Sequence, residues 1–205
     1  MQTLIEDKRL TSQLDFLIEI DKLKSIQRRA PLINGSRVEN SAEHSCHLAM
    51  MALVLSQYAN EAVNVDRVVR LLLVHDIIEI DAGDTFAFDV AGNLDKAERE
   101  QLAAARLFGL LPDDQAAEFR ALWDEFEARS TAESRFANAM DRLMPLFHNY
   151  LNGGGVWVKN GVSIEQVRQR MAPIADGSTE LANVVEDILS RAIERGYFEP
   201  VAAAH

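Results

Sequence analysis

Apolar positions along the chain recur mostly three and four residues apart, the spacing of one face of a helix. Residues 3–27 carry Leu4, Ile5, Leu10, Leu14, Leu17, Ile18, Ile20 and Leu23 in that pattern, which predicts one long helix, or two with a break near Thr11-Ser12. Pro31 disfavours helix in the residue before it, and Asn34-Gly35-Ser36 is a turn signal. Asn40-Ser41-Ala42-Glu43 has the form of a capping box. It predicts a helix to about Ala59 with His44, Leu48, Met51 and Leu55 as its inner stripe. Asn64 opens a helix over about 65–80, which Asp81-Ala82-Gly83-Asp84 closes. A loop over 85–92 carries Phe86 and Phe88 in positions that look exposed. Further helices are predicted over about 93–109, 113–129 and 131–151, the last bent by Pro145. Gly153-Gly154-Gly155 reads as a flexible link and Val156-Trp157-Val158 as a short extended piece. Helices over about 163–173 and 179–196 finish the chain. No repeat and no strand pair emerges. The expected fold class is all-α, a compact multi-helix domain over residues 1–205. Its core spans about 23–150, with the C-terminal helices of 161–197 packed on it.

Composition narrows the partners. The chain has 205 residues, enough for one sizeable core, and 48% of them are hydrophobic. No apolar run approaches the roughly 20 residues that cross a bilayer. The N-terminus lacks a basic region followed by an apolar one, so no signal peptide is read. The single cysteine, Cys46, excludes an intramolecular disulfide and fits a reducing cytoplasm; it is expected as a small buried residue. A net charge of −11 argues against a nucleic-acid polymer or a membrane surface as partner. A small phosphorylated substrate stays open to it. Loop 85–92 and the later helices offer more apolar surface than one core needs, which predicts a homodimer.

The stretch Leu71-Leu72-Leu73-Val74-His75-Asp76-Ile77-Ile78-Glu79 changes the picture most. Helical spacing puts Leu72, His75, Asp76 and Glu79 on one side of a buried segment. An ionised carboxylate there costs several kcal/mol without a cation against it. A divalent metal is the obvious cation, and the remaining donors must come from elsewhere in the chain. His44 lies on the inner stripe of its helix, and Asp141 sits between Met140 and Met144 in an apolar one. His47 competes with His44, but the position after Glu43 favours His44. Two imidazoles and two carboxylates suit one divalent ion, Mn, Co, Fe, Ni, Zn or Mg, with positions open to water and substrate. His148 follows Asp141 by two turns and is read as a packing residue.

The order His…His-Asp…Asp resembles the HD-domain metal-dependent phosphohydrolases. Leu23-Lys24-Ser25-Ile26-Gln27-Arg28, Arg37-Val38-Glu39-Asn40-Ser41-Ala42-Glu43-His44-Ser45, His75-Asp76-Ile77-Ile78-Glu79 and Gly83-Asp84 are similar to the 5'-deoxynucleotidase branch. The resemblance covers roughly residues 15–150. It implies that His44, His75, Asp76 and Asp141 hold one metal and that Glu79 orients or deprotonates the attacking water. It implies that Arg28 binds the phosphate, with Arg29 the competing choice, and that Asp84 bonds the sugar hydroxyl or assists catalysis. The implied activity is release of phosphate from (deoxy)nucleoside 5'-monophosphates. Alternatives are another phosphorylated metabolite or nucleotide, or a regulatory nucleotide-binding module. Where the branch carries a tryptophan after the arginine, this chain has Arg29, which leaves the choice between deoxyribose and ribose open and admits a more anionic substrate. Glu79-Ile80 departs from the Glu-Asp of alarmone hydrolases. No histidine lies between His75 and Asp141, which favours one metal over two.

Overall fold

A computed structural model describes residues 6–89, 92 and 94–198. The chain opens with α1 (Lys8–Ile20), whose first amides at Arg9 and Leu10 are capped by the Asp7 carboxylate. The break falls at Ile20-Asp21, not near Thr11-Ser12, where the chain tightens into a 3-10 turn over Asp21–Ser25. Two short strands follow, β1 (Gln27–Pro31) and β2 (Val38–Asn40), antiparallel, with Gln27 opposite Asn40 and Pro31 opposite Val38. The expectation of no strand pair is therefore corrected. The Asn34-Gly35-Ser36 turn is in place and joins them, with the Asn34 side chain accepting from the Ser36 amide at 3.0 Å.

The capping box holds as read: Asn40 accepts from the Glu43 amide and Glu43 reaches back to the Asn40 amide. It opens α2 (Ser41–Leu55), which buries His44 and Leu48 and ends in a 3-10 turn over Ser56–Tyr58. The central helix, α3 (Val65–Val74), is shorter than its apolar run. Beyond it the amides of Ile77, Glu79, Ile80 and Asp81 bond three residues back, to Val74, Asp76, Ile77 and Ile78. Three residues per turn stacks position i over i+3, so Asp76 and Glu79 point the same way. One turn, α4 (Glu79–Ala82), ends at Gly83, whose φ of 74° suits a residue without a Cβ.

Then come α5 (Lys96–Phe108), α6 (Asp113–Ala128) and α7 (Ala132–Leu151). α7 is the axis of the molecule. Its Phe136, Ala137, Ala139, Met140, Leu143, Met144 and Leu146 are all but fully buried, and α2, α3, α6 and β1 pack around it. Burying each large side chain contributes roughly 1.5–3 kcal/mol. The helix runs unbroken through Pro145. Residues 156–158, expected to be extended, lie in α8 (Gly155–Lys159), where Trp157 plugs into the core. The last helices are α9 (Ile164–Met171), α10 (Ile174–Gly177) and α11 (Thr179–Glu194). Asn60 stitches them to the loop after α2: its side chain donates to Ala175 at 2.8 Å, and its amide to Gly177 at 3.0 Å. The molecule is thus all-α apart from one hairpin. Cys46 is exposed rather than buried, because it lies on the outer face of α2.

Candidate metal centre

Three donor atoms converge where α2, the end of α3 and α7 meet. One ligand atom each of His44, His75 and Asp141 lies within 4.8 Å of the other two. His44 Nε2 is 3.1 Å from Asp141 Oδ1, and His75 Nε2 is 3.8 Å from the same oxygen. The far side of each ring is held. His75 Nδ1 donates to the Leu72 carbonyl at 2.8 Å, which leaves Nε2 facing the cluster. That Nε2 is buried with no hydrogen-bond partner among the described residues. His44 Nδ1 lies 3.0 Å from Glu39 Oε2, a carboxylate buried on β2. This carboxylate–imidazole pairing is the usual support behind a ligand histidine.

Asp76 joins the cluster from one side. Its Oδ1 is 3.1 Å from His75 Nε2, while Oδ2 accepts from Arg28 at 2.7 Å. Arg28, on β1, also approaches Glu79 at 3.5 Å, Asp84 at 3.9 Å and Asp141 at 4.0 Å. Four carboxylates therefore share one guanidinium in a mostly buried space. That excess of negative charge, with an unpartnered imidazole nitrogen beside it, fits a divalent cation. His44, His75, Asp76 and Asp141 are the residues that could hold one.

The electrostatics follow. Burial pushes the His75 imidazole down, but the Asp76 and Asp141 carboxylates outweigh it and lift it to about 9. Burial would raise Asp141, yet the His44 hydrogen bond and the nearby His75 ring hold it well below the usual carboxylate range. Burial and the Asp76 charge carry Glu79 up to about 8, against the pull of Arg28. Its Oε2 accepts from Ser41 Oγ at 2.6 Å. Burial also raises Asp84, with Arg28 opposing. Glu39 is held low: burial works against its charge, and the His44 ring outweighs that.

A cavity of about 100 Å3 adjoins the cluster, lined by Arg28, Arg29, Asp84, Phe86, Arg142 and Arg170 among others. Phe86 and Phe88 meet edge to face at 5.4 Å and are half-buried there, not exposed as the sequence suggests. Arg29 is exposed at its rim, whereas Arg28 is mostly buried against the carboxylates. His47 is exposed on the far side of α2, outside the cluster. His148 is buried with Nδ1 4.0 Å from Glu39, so it backs the support of His44 rather than the donors. Sequence reasoning singled out no role for Glu39, Ser41, Arg142 or Arg170. The first two lie within the stretch 37–45, where a buried acid four or five residues before a ligand histidine is a usable signal. Burial of Arg142, together with the charge of its neighbour Arg170, pushes that guanidinium down to about 10.

A helical shell closed around two histidines and an aspartate from three distant segments is the class this geometry defines. The family model for the HD domain matches residues 20–182, and the chain belongs to the HD domain family. It is similar to the 5'-deoxynucleotidase HDDC2 of Homo sapiens, 36% identical over 132 residues, which is 64% of this chain and 63% of that protein. The chain thus matches somewhat less than two thirds of that relative's length. A crystal structure described as a predicted metal-dependent phosphohydrolase from Magnetospirillum magnetotacticum MS-1 superposes with a TM-score of 0.89 at 54% identity, covering 94% of this chain and 96% of the other. A Pyrococcus horikoshii OT3 protein shares the fold at a TM-score of 0.61 and 24% identity, over 89% of this chain and 99% of its own.

Proposed function

We propose that the protein is a metal-dependent phosphohydrolase that releases phosphate from (deoxy)nucleoside 5'-monophosphates. The observation that carries this is the convergence of His44, His75 and Asp141, with Arg28 and Glu79 against the same cluster. The names of the Homo sapiens and Magnetospirillum relatives support the reading. His44, His75, Asp76 and Asp141 hold one divalent ion. Bound there, it supplies Lewis acidity toward solvent and offsets charge on a phosphoryl oxygen. Arg28 takes the phosphate, its planar fork matching two oxygens. Glu79, positioned by Ser41 and raised by burial, accepts the proton of the attacking water as the oxygen–phosphorus bond forms. Asp84 lies on the cavity side, where it bonds a sugar hydroxyl or returns a proton to the leaving sugar oxygen. The protein acts as a homodimer in the cytoplasm. Among the described residues no helix is long and apolar enough to cross a membrane.

Purified protein supplied with Mn or Co and a panel of nucleotides tests this. Phosphate release from 5'-monophosphates is expected, and Asp76→Ala is expected to lower kcat/KM by about 100-fold or more, as loss of a ligand should. Full activity in D76A, with no metal bound, overturns the assignment.

A further inference from the structure

The cavity beside the cluster has a second wall of opposite charge. Arg142, from α7, and Arg170, from α9, line it, and Arg29 stands at the rim. Arg142 is only 4% exposed, and its Nε has no hydrogen-bond partner. Its guanidinium donates to the Arg170 carbonyl at 3.3 Å. Arg170 approaches Asp141 Oδ2 at 3.8 Å, beyond hydrogen-bond reach. Among the described residues, neither Arg29 nor Arg142 is in an ion pair. Most other buried or half-buried arginines have a carboxylate partner, as Arg99 has Asp95, Arg120 has Asp124 and Arg135 has Glu61. A guanidinium as buried as that of Arg142 is costly without a counter-charge, and packing alone gives no reason for it. With Arg170 beside it, it suits an anion brought in from outside.

Spacing narrows the anion. The cavity of about 100 Å3 has room for a tetrahedral oxyanion, and Arg142 and Arg170 also line the open cleft beside it. Asp141 lies between the two cationic groups, with Oδ1 4.0 Å from Arg28 and Oδ2 3.8 Å from Arg170. Both flank the same carboxylate. That suits neighbouring phosphates of a chain, not phosphates at opposite ends of a nucleoside. We infer that Arg142 and Arg170, with Arg29 at the mouth, form a second phosphate subsite adjoining that of Arg28. The ligand class is a nucleotide whose second phosphate is bonded to the first. The inference rests on the reading of Arg28 and Glu79 given above.

The test uses full-length, Mn-loaded Glu79→Gln protein, in which the proton acceptor is removed and nucleotides persist. Calorimetry compares a deoxynucleoside 5'-diphosphate with the matching 5'-monophosphate. The diphosphate is expected to bind at least about tenfold more tightly, and that advantage to fall below about threefold in E79Q/R142Q and E79Q/R170Q. Should E79Q/R142Q not fold by circular dichroism, E79Q/R170Q and E79Q/R29Q decide, since both of those side chains reach solvent. Equal affinities in E79Q, or an advantage that survives in E79Q/R170Q, overturn the subsite. The two readings fail separately. Wild-type phosphate release from monophosphates without a diphosphate advantage overturns the subsite alone. An arginine-dependent diphosphate advantage in a protein that releases no phosphate supports the subsite and overturns the monoesterase.

Discussion

At the residue scale, His75 shows how the fold prepares a donor. Its Nδ1–H is committed to the Leu72 carbonyl, so only Nε2 is available to the cluster. Burial lowers its pKa, but Asp76 and Asp141 raise it further, to about 9. The sign for metal uptake follows. Below about pH 9 the ion-free ring holds a second proton on Nε2, and a ligand nitrogen must be free of one. Binding of Mn should therefore release close to one proton between pH 7 and 8. Apparent affinity should climb about tenfold per pH unit and level off above 9. Calorimetry at pH 7, 8 and 9.5, in buffers of different ionisation enthalpy, reads both quantities; a flat affinity across that range would exclude His75 as a protonated ligand. Much of the cluster was legible in the chain, because a His-Asp pair inside Leu71–Glu79 has few structural uses and His44 and Asp141 sit on apolar stripes. Arg142 and Arg170 were not. An arginine in a helix looks like any solvated one until burial and the missing carboxylate are seen.

At the scale of elements, α10 shows how closely the C-terminal helices dock on α7. A Cβ on Gly177 would lie 2.5 Å from the Arg135 carbonyl oxygen and 2.9 Å from the Phe136 Cα. Both are backbone, so nothing flexible can give way. Gly177→Ala should cost about 1–3 kcal/mol, seen as a lower urea midpoint at unchanged m-value. A midpoint within error of wild type would show that α10 can shift. The helices with caps were readable from sequence: Asn40 and Asn64 cap where their spacing suggested, and Thr131, Ser163 and Ser178 cap the helices expected to begin near 131, 163 and 179. The hairpin was not. Gln27–Pro31 and Val38–Asn40 are short and polar, without the alternation that marks a half-buried strand. The end of α3 was misplaced for a different reason. The apolar run continues past Val74, but the chain there tightens to three residues per turn, which a 3.6 period does not reveal.

For the whole molecule, part of the apolar surface read as a dimer contact is turned inward. Phe86 and Phe88 turn toward the cavity, and Trp123 and Phe126 are buried. Exposed instead are Met50, Leu53 and Val54, neighbours on one face of α2, at 54%, 53% and 64%. A second copy covering that face should give a sedimenting dimer at micromolar concentration, and Leu53→Glu should return it to monomer. A monomeric wild type removes the idea. The smallest element of all sits opposite this helix face in importance. Arg28 lies on one strand of the ribbon and Glu39 on the other, joined by the register that sets Gln27 against Asn40. The hand that would grip an incoming anion and the brace behind His44 are thus yoked to a single two-stranded lever. A slip of one residue in either strand would turn that strand's contribution to the opposite face. Ion retention and anion capture would in this way be inherited together, from eight residues that carry almost none of the core.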